Sequence, residues 1–202
     1  MRWFVVGLAG VLSCAPSTTP AVDFFPLEVG AFWVYDVALN GQAPVAERQV
    51  LVSDAMGDGA RREYVVSELD ESLAPEDRTD HPTTYQRGAE GVRCLECESL
   101  HVPSSPVEGQ TWPASTPEGG RSRVVATGAS FAKGPLQFSH CLVIERVEPV
   151  RKRRIEFTFA PGVGLVRTRF FAEATDSSTA LREEVLSEYG KILPARFPRP
   201  PR

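Results

Sequence analysis

The chain has 202 residues, of which 42% are hydrophobic and 24% charged, which is the composition of an ordinary globular protein. This composition excludes global disorder. The formal net charge of −4 argues against nucleic acid as a partner, because an acidic surface repels phosphate groups. The length allows one sizeable domain with its own hydrophobic core.

The N-terminus carries the pattern of a secretory signal. Residues 4–12 form an apolar run after the charged residue Arg2. A run of this length is too short to cross a bilayer as a helix. We therefore expect residues 1–13 to be a signal peptide that is removed from the mature protein.

The apolar run ends in the sequence VLSC, whose last residue is Cys14, and this end resembles a bacterial lipobox. The resemblance implies cleavage before Cys14, a lipid on its thiol and a membrane anchor in the cell envelope. Ala15 is not the aspartate that retains many lipoproteins at the inner membrane, which favours the outer membrane and a domain facing the periplasm. Two alternatives stay open: an ordinary signal peptide cut near Ala15 or Ala21, and a retained membrane anchor.

Composition divides the remaining chain into three parts. Residues 14–22 are small and polar with prolines, which is typical of a flexible tether. Residues 193–202 contain four prolines and three arginines, so we expect a disordered tail there. The sequence between them, residues 23–192, is predicted to form a single β-rich domain.

Apolar residues of this domain recur mostly with period 2, and the runs are rich in β-branched and aromatic residues, as half-buried strands require. The pattern predicts an all-β, mainly antiparallel fold. Segment 180–189 suits a helix or an edge strand, and its neighbours favour the strand. Segments 68–79 and 102–120 are predicted to be long connections. The predicted strands cover residues 32–39, 48–53, 63–69, 83–87, 92–96, 122–127, 137–145, 154–160, 165–171 and 180–189.

The sequence contains a weak internal repeat. Gly30 precedes Trp33 by three residues, and Gly109 precedes Trp112 by the same spacing, each after a proline-containing approach. A glycine permits a bend that a side chain would obstruct, and the tryptophan then folds back on the sheet as a large anchor. Each half of the domain is therefore predicted to begin with the same glycine bend and tryptophan anchor.

Taken in order, four motifs resemble a group of bacterial secreted proteins and lipoproteins. The resemblance spans roughly residues 24–189 and implies a single curved sheet or incomplete β-barrel, similar to the half-barrels of lipoprotein-localisation and periplasmic lipid-carrier proteins. It implies a compartment and a fold but no reaction. The motifs are FPLxxGxxWxY with Phe25, Pro26, Leu27, Gly30, Trp33 and Tyr35; GxxW with Gly109 and Trp112; FxxCL with Phe138, Cys141 and Leu142; and APGVGLV with Pro161, Gly162 and Gly164.

The turn of the last motif has a structural explanation of its own. Pro161-Gly162-Val163-Gly164 places two glycines in a tight connection between two predicted strands. Positive φ angles cost little only for glycine, so this segment is predicted to be a turn rather than a site.

With Cys14 set aside as the lipid acceptor, Cys94, Cys97 and Cys141 remain, which is an odd number for an oxidising compartment. A regular strand would place Cys94 and Cys97 about 10 Å apart on opposite faces, so a bond between them requires a turn at Leu95-Glu96. We favour this local bridge, with Cys141 as a small buried residue. A bridge from Cys141 to either partner stays open.

The sequence gives only weak evidence for metal binding or redox chemistry. Cys94, Cys97, His101 and Cys141 are the right types for zinc, but a single CxxC without a second compact pair is poor evidence. Acidic neighbours of the CxxC pair raise thiol pKa values, which argues against a redox site. We expect no cofactor, no metal site and no catalytic residue, since none of the motifs with known mechanics occurs. His81, His101 and His140 are interpreted as polar surface or loop residues.

The sequence therefore supports a non-enzymatic lipoprotein of the cell envelope, anchored to the membrane through Cys14. In this hypothesis the curved sheet holds an apolar ligand, and Trp33 and Trp112 are core anchors rather than cavity walls. An assembly factor that acts through contacts with other envelope proteins is the alternative. A redox or zinc protein that uses Cys94 and Cys97 is a third hypothesis.

Overall fold

The computed structural model describes residues 22–74, 82–114, 119–172 and 179–192. The described chain is all-β, with one sheet of twelve antiparallel strands and a single 3-10 turn at Gly59–Arg61. The all-β prediction is thus correct. The strands are β1 (Ala31–Leu39), β2 (Ala46–Met56), β3 (Glu63–Asp70), β4 (Thr83–Gly88), β5 (Gly91–Cys94), β6 (Ser99–Pro103), β7 (Thr111–Pro113), β8 (Arg121–Lys133), β9 (Leu136–Glu148), β10 (Arg153–Ala160), β11 (Gly164–Ala172) and β12 (Arg182–Lys191).

Two meanders of six strands make up the sheet. Strands β1 to β6 follow one another in the first meander, and β7 to β12 in the second. The two join where β1 pairs with β12, from Ala31 opposite Lys191 to Leu39 opposite Arg182. Strands β6 and β7, which are consecutive along the chain, become the two edges of the sheet.

The sheet curls until these two edges meet. The indole Nε1 of Trp112 on β7 donates a hydrogen bond to the carbonyl of Leu100 on β6, at 2.8 Å. Among the described residues, no backbone ladder joins the two strands. The result is a nearly closed, barrel-like sheet with one seam, which we call the β6–β7 seam.

Side chains alternate between the inside and the outside of this sheet, as period 2 requires. Val37 on β1 is fully buried inside, and on the neighbouring strands Val52 lies opposite Val66. Charged residues also face inwards, since Tyr35 lies opposite Arg48 and Thr168 opposite Glu184. The interior therefore has both an apolar and a charged part.

The β8–β9 hairpin is longer than its neighbours and folds over the outside of the sheet. Strand β9 pairs with β10 only from Leu142 to Glu148, and it bends at His140, whose φ is 55°. The tip of the hairpin then packs on the outer face, where Lys133 Nζ lies 2.6 Å from Asp36 Oδ2 on β1. Phe131 and Cys141 of this hairpin belong to the same buried cluster as Tyr35 and Val52.

The strands differ from the predicted ones in two places. Neither β6 nor β7 was predicted: β7 lies within segment 102–120, interpreted as a connection, and β6 overlaps its start. Strand β3 ends one residue beyond the predicted strand 63–69, so Asp70 of the predicted loop belongs to it, and residues 75–81 lie outside the described chain. The ambiguous segment 180–189 lies mostly within strand β12.

Candidate functional site

The interior of the sheet contains a cavity of about 520 Å³. This volume lies within the range of roughly 300–1,000 Å³ that is typical of small-molecule sites. Its walls are aromatic at one end and charged at the other. They are formed by Phe25, Trp33, Tyr35, Arg48, Val50, Val66, Glu68, Asp70, Tyr85, His101, Arg153, Phe157, Leu165, Thr168, Phe170, Phe171, Leu181, Arg182 and Glu184.

One end of the cavity has a chain of ion pairs, which we call the charged mouth and which runs in the order Glu68, Arg48, Glu184, Arg182 and Asp70. Arg48 contacts Glu68 at 2.8 Å and Glu184 at 2.9 Å. Arg182 contacts Glu184 at 2.8 Å and also bonds Asp70. The glutamate shared by both arginines, Glu184, is only 3% exposed.

Neighbouring groups favour the charged forms of Arg48 and Asp70. Although burial opposes the charge of Arg48, the carboxylates of Glu68 and Glu184 raise its pKa above the ordinary value. Burial alone would raise the pKa of Asp70, but hydrogen bonds from Ser72 and Arg182 lower it. A connected network of this kind holds its members in fixed positions on the cavity wall.

The other end of the cavity is the aromatic floor, formed by Phe25, Trp33, Tyr85, His101 and Phe157. The ring of Phe25 lies 5.2 Å from the rings of both Tyr85 and His101. These edge and tilted contacts are the preferred arrangements of aromatic pairs. The floor therefore offers a large apolar surface below a charged opening.

His101 was interpreted as a surface or loop residue, and the structure corrects this. It lies on β6, inside the sheet, with the rings of Phe25, Tyr85, Phe157 and Phe159 around it. Burial, together with the nearby Arg146 and Arg48 guanidiniums, lowers the pKa of His101 from 6.5 to about 3. His101 is therefore neutral at physiological pH. His140 lies at the bend of β9, and His81 lies outside the described residues.

The first glycine–tryptophan motif holds the cavity wall together. Gly30 has φ 87°, and a Cβ there would lie 2.1 Å from the carbonyl oxygen of Ile192, so only glycine fits. Trp33 is 5% exposed and donates from Nε1 to the carbonyl of Val163 at 2.6 Å. Trp33 thus belongs to the core and also lines the cavity.

The APGVGLV turn docks on this tryptophan. Gly164 has φ 103°, and a Cβ there would lie 3.3 Å from both Pro26 Cδ and Trp33 Nε1. Gly162 has φ 69° and donates its N–H to the carbonyl of Asp23 at 2.7 Å. Pro161 begins the turn between β10 and β11. All these contacts are structural.

The second motif closes the β6–β7 seam. Gly109 has φ 83° and donates its N–H to the carbonyl of Val124 at 2.9 Å. Trp112 is 9% exposed and makes the seam bond described above. In both motifs the indole N–H is satisfied by a distant backbone carbonyl.

The cysteines are not assembled into a metal site. Cys94 and Cys97 form a disulfide, with their Cα atoms 5.2 Å apart across the turn that follows β5. Cys141 is free and buried on β9, where Arg167 is a neighbour. Across the described ranges, no group of three or more His, Cys, Asp or Glu residues is arranged to hold a metal ion.

Several residues that line the cavity were not anticipated from the sequence: the five of the charged mouth, together with Tyr85 and His101. Charged residues on period-2 strands are normally assigned to the solvent face, so the pattern hid them. The proposed lipid acceptor, Cys14, lies outside the described residues. Within the described ranges, no helix is long and apolar enough to span a bilayer.

Solved structures with a similar fold exist. One, from Bacteroides fragilis, is described as an exported protein with a YmcC-like fold; it is 11% identical, has a TM-score of 0.55, and the match covers 84% of this chain and 100% of that chain. Another, described as a lipoprotein from Parabacteroides distasonis, is 14% identical with a TM-score of 0.48, over 85% of this chain and 100% of that chain. No protein-family model and no curated protein matches the sequence. The first similarity shows that the chain shares the YmcC-like fold.

Proposed function

We propose that this domain is a non-catalytic binding protein of the cell envelope that holds an apolar or amphipathic ligand inside its sheet. The observation that carries the proposal is the cavity of about 520 Å³ with its aromatic floor and charged mouth. Apolar pockets with a few convergent polar groups are the usual form of ligand sites. The cavity favours this function over an assembly factor, for which a filled core would be expected.

The envelope location is supported by two independent features. The N-terminal sequence ending in Cys14 resembles a lipobox, and the proteins of similar fold are described as an exported protein and a lipoprotein. We infer that the domain is anchored by a lipid on Cys14 and faces the periplasm from the outer membrane. An anchored domain with an internal cavity would keep its ligand next to a bilayer.

A cavity-filling variant tests the proposal. Val50 lines the cavity, so Val50→Phe should reduce the space available to a ligand. The full chain should enhance the fluorescence of the uncharged probe N-phenyl-1-naphthylamine, and native mass spectrometry should show a co-purified small molecule. Val50→Phe should weaken probe binding by about tenfold and lose the co-purified molecule.

Val125→Phe on β8 is the matched control, because Val125 is 43% exposed and does not line the cavity. This variant should bind the probe as the unmodified chain does. If the probe bound neither protein, or if Val50→Phe and Val125→Phe behaved alike, the cavity would not be a binding site. Co-purification of an envelope protein instead would favour the assembly factor.

A further inference from the structure

Three side chains with hydrogen-bond donors lie around Phe157, and two of them, Tyr85 and His101, are on the cavity wall. The rings of Tyr85 and His101 are 5.2 Å apart, and His101 lies 6.2 Å from Phe157. The guanidinium carbon of Arg146 lies over the Phe157 ring, 5.2 Å from its centroid. Tyr85, His101 and Phe157 all line the cavity, so Arg146 is one ring away from its space. We call these three donors the Tyr85–His101–Arg146 cluster.

In the described part of the chain, the donors of the cluster have few hydrogen-bond partners. Arg146 makes one hydrogen bond there, a long contact of 3.4 Å from Nε to Ser122 Oγ, and it forms no ion pair. Neither the Tyr85 hydroxyl nor the His101 ring has a hydrogen-bond partner among the described residues. By contrast, Arg48, Arg153 and Arg182, which also face inwards, each contact a carboxylate.

A fourth polar group points to the same space. The hydroxyl of Thr168, on the strand next to Phe157, has no hydrogen-bond partner in the described chain. Thr168 is 2% exposed and lines the cavity. Buried polar groups are nearly always hydrogen-bonded, and of the three residues with an orphan buried atom in the described chain, Thr158, Arg167 and Thr168, only Thr168 lies on the cavity wall.

The cluster supplies hydrogen-bond donors and one positive charge. It contains no negatively charged acceptor. Burial lowers the pKa of Arg146, and the nearby carboxylate of Glu148, which is paired with Arg153, offsets only part of this effect. Burial raises the pKa of Tyr85, which therefore keeps its proton, and neutral His101 retains one N–H. An uncompensated cation inside a protein is costly unless an anion or several acceptors approach it.

We propose that the Tyr85–His101–Arg146 cluster binds the anionic group, carboxylate or phosphate, of an amphiphile whose apolar part lies against the aromatic floor. This inference rests on the proposed function, because it names the chemistry of the ligand that the cavity holds. Charge-assisted hydrogen bonds are the strong ones, so the anionic group would set the specificity of the site.

A matched series of twelve-carbon ligands tests the inference. Dodecanoate, dodecyl phosphate and uncharged dodecanol share one chain and differ in the head group. Isothermal titration calorimetry of the purified full chain should show dodecanoate, dodecyl phosphate or both binding at least tenfold more tightly than dodecanol, and the tighter of the two acids identifies the group. Arg146→Gln should remove this preference and leave dodecanol binding unchanged.

Two further variants distinguish a loss of ligand binding from a loss of folding. Tyr85→Phe removes only a hydroxyl and should lower the preference for the anionic ligand severalfold, with an unchanged melting temperature. Arg123→Gln, at an exposed arginine of β8, should change nothing. Equal binding of all three ligands, or a preference that survives both Arg146→Gln and Tyr85→Phe, would overturn the inference alone. Absence of binding by every ligand, dodecanol included, would overturn the proposed function as well.

Discussion

Trp33 shows how a single residue serves both the core and the cavity. Its ring packs at an interplanar angle of 12° to Phe25, and its N–H is held by the carbonyl of Val163. The close approach of the turn to the ring is possible only because Gly164 has no side chain. The tryptophan and the glycine are therefore one structural unit, although they lie far apart in the sequence.

This unit predicts that the two glycines of the turn differ in sensitivity. Both have positive φ, which costs alanine about 1 kcal/mol. A Cβ at Gly162 would meet open space, whereas a Cβ at Gly164 would crowd Pro26 and Trp33. Urea denaturation should show a loss of about 1 kcal/mol for Gly162→Ala and about 2–4 kcal/mol for Gly164→Ala. Equal losses would contradict the docking of Trp33 on this turn.

His101 predicts a pH dependence of stability. Its pKa is about 3 in the folded protein and near 6.5 when unfolded, so the unfolded chain takes up the proton first as the pH falls. The free energy of unfolding should therefore decrease from pH 6.5 down to about pH 3 on account of His101. In His101→Phe this contribution is absent.

Urea denaturation at pH 6 and pH 4 measures the contribution of His101. The unmodified chain should lose about 2 kcal/mol more stability than His101→Phe between these two values. Carboxylates titrate in both proteins, so their effect cancels in the comparison. The same loss in both would mean that the imidazole is protonated inside the sheet.

Residue-level predictions from the sequence succeeded where local geometry decides. Gly30, Gly109, Gly162 and Gly164 were predicted to occupy bends, and each has a positive φ. The charged mouth could not be predicted, because a strand with Arg or Glu at alternate positions has the same pattern whether that face meets water or a partner of opposite charge. The pairing that brings Arg48 to Glu184 depends on strands far apart in the sequence.

At the level of elements, the β6–β7 seam is the weakest line of the sheet. Strand β7 has only three residues, and one side-chain hydrogen bond joins it to β6 in the described chain. Short edge strands discourage pairing with other proteins. A hollow of about 450 Å³ lies along this seam, lined in part by Leu100 and Trp112.

The seam predicts a local effect of Trp112→Phe. The substitution keeps an aromatic ring but removes the donor, so the carbonyl of Leu100 loses its partner at a cost of about 1–3 kcal/mol. Hydrogen exchange measured by mass spectrometry should become roughly tenfold faster in β6 and β7. Trp33→Phe, which loses the equivalent bond to Val163, should leave exchange at the seam unchanged. Uniformly faster exchange throughout the sheet would show that the seam does not open independently.

The strands were predictable where they are long and where apolar and polar residues alternate clearly, as in β10. The two short edge strands were missed, since three to five residues cannot establish a period. The bend of β9 was missed because a positive φ is uncommon for any single non-glycine residue, even for histidine, which adopts it more often than most. The folding of the β8–β9 hairpin over the outer face follows from that bend.

At the scale of the whole molecule, the two meanders explain the internal repeat in the sequence. In the first meander Gly30 precedes β1 and Trp33 lies in it. In the second meander Gly109 precedes β7 and Trp112 lies in it. Each tryptophan uses its indole to fasten a strand to a distant backbone. The repeated motif therefore marks the two halves of one sheet.

The proposed attachment of the domain to a membrane predicts lipidation at Cys14. In a bacterial host, Cys14→Ser should abolish labelling by an alkyne fatty acid and release the protein in soluble form. Cys141→Ser should keep the label, because that thiol is buried in the domain. Unchanged labelling of Cys14→Ser, or a mature N-terminus near Ala21, would show that residues 1–13 do not end in a lipobox.

The pairing of β1 with β12 governs how the chain reaches its native state. Strand β1 can pair with β12 only after β12 has been synthesised. The paired residues, such as Ala31 and Lys191, are far apart in the sequence. Such non-local closure raises the contact order and slows folding, and β1 stays without that partner until then. Loss of β12 by premature termination would leave Trp33 and Val37 on a strand open to other chains, so truncated products should aggregate rather than accumulate as smaller barrels.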